Sequence, residues 1–62
     1  MNLVDIKTLA RILSVKQKTI YDWIHKGYIP FVKLGRLVRF DENEIKKWLE
    51  NKKLTKVRNI SL

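Results

Sequence analysis

Residues 14–30 read SVKQKTIYDWIHKGYIP, and the framing of this run decides the fold. Its large apolar residues Ile20, Trp23 and Ile24 fall at i, i+3 and i+4, one face of an α-helix. Gly27 suits a left-handed stop at the helix C-terminus, and Pro30 confirms that the helix is over. The start has two solutions. Ser14 as N-cap, with Gln17 three residues on, would make a capping box. Lys16 at the cap would instead set Val15 just before it and Ile20 four positions into the helix, where the two pack as a hydrophobic staple. The second frame is preferred because it buries Val15 and Ile20 together. Lysine is a poor cap, so this end is expected to fray.

Upstream, Asp5 can cap a first helix whose Ile6, Leu9, Ala10 and Leu13 share one face. Ser14-Val15 breaks that pattern and reads as a short turn. Helix, three-residue turn and second helix, with polar groups at the second N-terminus, is the plan of a helix-turn-helix. Downstream, residues 31–40, FVKLGRLVRF, read as a hairpin around Gly35. A two-residue turn pairs Leu34 with Leu37 and Val32 with Arg39, mixing Arg into the apolar face. A three-residue loop, Gly35-Arg36-Leu37, pairs Leu34 with Val38 and Val32 with Phe40, leaving Lys33 and Arg39 together on the other face. Register follows the buried face, so the longer loop is expected, although Gly stands first rather than last in it. Asp41 then opens a third helix with an Asp41-x-x-Glu44 capping box and a stripe of Ile45, Trp48 and Leu49. Glu42 and Lys46 sit four apart in the favourable orientation. This helix is expected to fade near residues 51–53. The chain thus divides into a domain over 1–53 and a basic tail over 54–62, mainly α with a small β-hairpin: three helices plus a two-stranded wing.

Sixty-two residues allow one small core, and a chain of this size buries only about 60% of the surface exposed when unfolded. There is no cysteine, and the single His25 cannot make a zinc site alone, since such sites take roughly four ligands. No cofactor is expected. No apolar run approaches the ~20 residues of a membrane span, and the N-terminus lacks a signal peptide's basic and long apolar regions. A complete cytoplasmic protein, held at the nucleoid through DNA, is the expectation. No residue set suggests catalysis: there is no nucleophile–base pair and no room for a pocket.

Fourteen Lys and Arg against six Asp and Glu give +8, which points to a polyanionic partner. The excess is local. Residues 16–39 carry Lys16, Lys18, Lys26, Lys33, Arg36 and Arg39 against Asp22 alone, whereas residues 41–53 are balanced. Placed at 100° per residue, the second helix turns Lys18, Asp22 and His25 away from its apolar stripe, with Thr19 and Tyr21 on the flanks. Lys16 and Gln17 project from its first turn. In a helix-turn-helix that turn faces base edges in the major groove, and its N–H groups favour phosphate. Gln17 offers a donor–acceptor pair to adenine, and Lys18 can donate to guanine. Thr19 can reach a phosphate or a thymine methyl. Tyr21 either does the same or covers the edge of the core. Asp22 can accept from cytosine, but is expected to pair with Lys18. Trp23 and Trp48 are expected in the core, and His25 at an exposed helix end. Arg36 at the wing tip is placed for phosphate or a narrow minor groove, with Lys33 and Arg39 on the outward face. Leu37 at the tip is expected to fold back on the core.

The ordered set from the helix ending at Leu13 through Val15, Thr19-Ile20, Trp23-Ile24, Gly27, Ile29-Pro30, Lys33-Leu34-Gly35-Arg36, Arg39-Phe40 and Ile45 to Trp48-Leu49 resembles the excisionase-type helix-turn-helix, a small MerR-like winged-helix family. The likeness spans about residues 3–49. It implies DNA bound by the second helix in the major groove and by the wing alongside, with contacts at Lys16, Gln17, Lys18, Thr19, Tyr21, Arg36 and Arg39. It also implies a recombination directionality factor of a mobile element, whose copies occupy adjacent sites, bend DNA and assist an integrase. Lys16 stands where the family usually has a small cap, and Ser14 where it often has Gly. The basic tail either touches the integrase or the next copy, or is a solubilising end. A small transcriptional regulator on the same fold, and an interaction module that does not bind DNA, are the rival expectations.

Overall fold

A computed structural model describes the backbone of residues 2–60 and the side chains of residues 2–52. In chain order the elements are β1 (Leu3–Val4), α1 (Ile6–Leu13), α2 (Gln17–His25), β2 (Val32–Leu34), β3 (Leu37–Asp41) and α3 (Glu42–Ile60). Three helices are thus joined by an antiparallel sheet of order β1-β3-β2.

Each helix boundary has a local cause. The Asp5 carboxylate accepts from the Thr8 N–H at 2.8 Å and caps α1, satisfying one of the orphan donors of the first turn. Ser14, at φ 57 and ψ 44, ends α1 in the left-handed region. There the Ser14 N–H donates to Arg11 C=O at 3.2 Å and the Val15 N–H to Ala10 C=O at 3.0 Å. The same pair of bonds ends α2 with a glycine in the left-handed place. Gly27, at φ 66, donates to Ile24 C=O at 3.0 Å, and Tyr28 to Trp23 C=O at 2.9 Å. Both ends are therefore Schellman turns. Lys16 is the N-cap of α2 and makes no side-chain cap bond, so the staple frame is the one adopted, with Val15 partly buried against the core that contains Ile20. At α3 the Asp41 carboxylate accepts from the Asn43 N–H at 3.1 Å.

The core is Leu9 and Ala10 from α1, Ile20 from α2, Ile29 from the connection, Phe40 from β3 and Ile45 from α3. Phe40 and Ile20 are wholly excluded from water, each burial stabilising the fold by about 1.5–3 kcal/mol. Trp23, Ile24, Val38 and Trp48 are partly buried around this centre. The two tryptophans therefore lie at the margin of the core rather than within it, where an indole N–H can still find a partner. Leu49, expected in the buried stripe, is 41% exposed.

Three expectations about the strands and helices are overturned. The hairpin takes the two-residue turn, pairing Leu34 with Leu37, Lys33 with Val38 and Val32 with Arg39. Gly35 has φ 62 while Arg36 does not enter the positive region, which matches the turn type that wants Gly at the first central position. β2 buries no residue, so no buried face was there to dictate its register and turn chemistry decided it. The sheet also has three strands, not two: β1 pairs with β3 through Leu3–Asp41 and Val4–Phe40. A two-residue strand leaves no periodic trace in the sequence. Finally, α3 does not fade at 51–53 but continues to Ile60. Residues 50–60 contain neither Gly nor Pro, so nothing in them stops a helix.

Candidate nucleic-acid interface

The first turn of α2 and the turn of the hairpin both present cations to solvent. Lys16, Gln17, Lys18, Tyr21 and Asp22 are exposed, and Thr19 is partly buried. Tyr21 is 51% exposed and so does not serve as core cover. The buried face of the same helix rests on Ile20, which leaves the polar side free of the protein's own interior.

Asp22 does not pair with Lys18. Its carboxylate meets Lys26 Nζ at 3.0 Å, four residues on. The sequence held the signal: an acid N-terminal to a base at i,i+4 is the better orientation, and Lys18–Asp22 is the reverse one. The pair is exposed on both sides, worth about 0.3–0.5 kcal/mol. Its consequence is electrostatic. Asp22 is neutralised from the helix's C-terminal side, and Lys18 carries no ion pair among the described residues.

The wing cations do not share one face. Residues opposed across the ladder point the same way, so Lys33 lies on the Val38 side and Arg39 on the Val32 side. Lys33 and Arg36 are exposed, but Arg39 is partly buried and donates from Nη1 to Val38 C=O at 2.8 Å. It also lies close enough to Asp5 to help hold that carboxyl below its ordinary value, after the larger effect of the bonds from the Thr8 backbone N–H and hydroxyl. Leu37 does not fold back: it is 53% exposed beside Leu34 at 48%. Arg36 alone stands at the tip, with Gly35 the other residue of the turn.

A second cluster lies at the far end of α2. The rings of Trp23, Tyr28 and Trp48 sit mutually within 5.5–5.7 Å between centroids. Trp48 Nε1–H donates to Tyr28 C=O at 2.9 Å. Lys52 Nζ lies 4.2 Å from the Tyr28 ring centroid, a cation–π contact. Lys52 is thus drawn onto this cluster. The side chains of Leu54, Lys56, Val57, Arg58 and Ile60, and residues 61–62, lie outside what is described, and so does the expected role of the tail. No helix among the described residues is long and apolar enough to cross a membrane.

Two helices joined by a three-residue turn, a polar second helix open to solvent and a short sheet beside them define a helix-turn-helix protein. Residues 3–53 match the family model described as a helix-turn-helix domain, and the chain belongs to that family. The chain is also similar to the uncharacterized protein YvgK of Bacillus subtilis (strain 168), at 36% identity over 50 residues. That match covers 81% of this chain and 16% of the relative. No solved structure matches the chain.

Proposed function

We propose that the chain is a sequence-specific duplex-binding protein of the excisionase type, a MerR-like winged helix-turn-helix acting in the cytoplasm at the nucleoid. Lys16, Gln17, Lys18, Thr19, Tyr21 and Asp22 address the major groove, and Lys33, Arg36 and Arg39 the backbone or minor groove alongside. Copies bind adjacent sites, bend the DNA and assist the recombinase of a mobile element. The observation that carries this reading is the solvent-facing polar side of α2, followed by a run from Trp23 to Phe40 that contains no carboxylate. Arg39, folded onto its own strand, contributes positive potential at longer range than Arg36.

A salt titration tests it. With about six phosphate contacts, log affinity for duplex falls against log salt with a slope near −5. A flat response, or no duplex binding at low salt, would leave the interaction module without DNA binding. A small transcriptional regulator on the same fold is the second reading. Stimulation of excision when the protein is added to a recombinase and its attachment site supports the first reading; repression of a neighbouring promoter without such stimulation supports the second.

A further inference from the structure

The hairpin carries a feature that charge does not explain. Leu34 and Leu37 oppose each other directly across the ladder, one on each side of Gly35-Arg36, and both are about half exposed. A cross-strand pair steadies a hairpin, but β-branched residues serve that purpose at least as well in water. Two leucines instead leave apolar branches in solvent, where the described residues include only six buried apolar ones. Their surroundings are cationic: Arg36 is at the turn, Arg39 shares their side of the ladder while Lys33 faces the other, and no acid occurs between Trp23 and Phe40. An apolar pair set in positive charge complements a partner whose anionic rims enclose an apolar channel. The minor groove has that character, with sugar walls between two rows of phosphates.

We propose that Leu34 and Leu37 form an apolar wedge that presses on the sugars of the minor groove while Arg36 engages its rim. The inference rests on the duplex-binding reading above and adds a contact to it. The groove is only about 6 Å wide, and two strands about 4.8 Å apart already span most of that before side chains are counted. Entry therefore widens the groove, and apolar side chains inserted there bend the duplex toward the major groove. Removing the leucines takes away apolar contact and no charge, so affinity falls without any change in salt dependence. Removing Arg36 changes the salt dependence.

The experiment uses the full chain and a duplex recovered with it from a random-sequence pool at low salt. Affinity, salt slope and bend, the last by mobility of circularly permuted fragments, are measured for three variants. These are Leu34→Thr/Leu37→Thr, the single Leu37→Thr and the volume-conserving Leu34→Met/Leu37→Met. Cross-strand amide contacts over residues 32–40 check the hairpin in each. The double threonine variant is expected to bind about tenfold more weakly, at unchanged slope and with a smaller bend. The single variant falls between, and the methionine variant follows the wild type. Should the double variant lose the hairpin, the single variant decides, because Leu34 still closes it. A threonine variant with an intact hairpin that binds and bends as the wild type does overturns the wedge and leaves the leucines to a protein partner. If the wild type enriches no duplex, the duplex-binding reading falls as well.

Discussion

At Ser14 the chain makes its tightest demand on a single residue. A non-glycine in the left-handed region costs about 1–2 kcal/mol, and Ser14 holds φ 57 to finish α1. Ser14→Gly relieves that at some cost in unfolded-chain entropy. The expected net gain is about 0.5–1 kcal/mol, read as a rise of a few degrees in the thermal midpoint. Lys18 is exposed and has no ion pair among the described residues, so Lys18→Ala should leave stability unchanged. It should relax base preference at one position by about 1–3 kcal/mol, measured on single-base variants of a bound site. Asp5 predicts a pH effect. Its carboxyl is held below the ordinary value by the Thr8 bonds. The folded state thus gains stability that is fully present above that ordinary value and is lost as pH falls through the lower folded one. Asp5→Asn keeps an acceptor for Thr8 and should flatten that part of the acid-unfolding curve. Residue chemistry of this kind was legible in sequence: Asp5 and Gly27 each perform the cap or stop that their type suggests, and Asp41 caps α3, though by accepting from Asn43 rather than through the expected box with Glu44. The Asp22 pairing was legible too, through orientation along the helix, but the preference for Lys18 passed over it.

Among the elements, α2 and the hairpin show what decides legibility. The start of α2 could be read because the competing frames differ in whether Val15 and Ile20 pack together, and burial selects between them. The hairpin register could not be read by the same argument. β2 is an edge strand with no buried residue, so the reward assumed for gathering Val32, Leu34, Val38 and Phe40 on one face was absent. The awkward place of Gly35 in the longer loop was the better guide, because its φ of 62 belongs to the shorter turn. The corrected register matters for the site. It separates Lys33 from Arg39 and leaves Arg36 as the one side chain besides Gly35 in the turn. Arg36→Ala is therefore expected to weaken binding to all duplex sequences alike and to reduce the salt slope by about 1, measured by titrations at several salt concentrations. Unchanged affinity in a folded variant would remove the wing from the interface.

For the molecule as a whole, every core residue among those described lies between Leu9 and Ile45. The extension of α3 past residue 53 adds length outside that span, and a protein ending at Lys53 should keep its fold. A thermal midpoint within a few degrees of the full chain, followed by circular dichroism, checks this; collapse of the transition would make the last turns part of the core. The extension escaped the sequence reading because the absence of a breaker is a weaker signal than the presence of one. The Trp23–Tyr28–Trp48 cluster has a practical consequence. Both indoles sit where α2 ends and α3 passes it, with Lys52 against the same rings. Tyrosine excitation at such separations drains into the tryptophans, and their emission colour follows how much water reaches them. The protein thus carries an unlabelled optical gauge at the C-terminal end of α2, sensitive to denaturant.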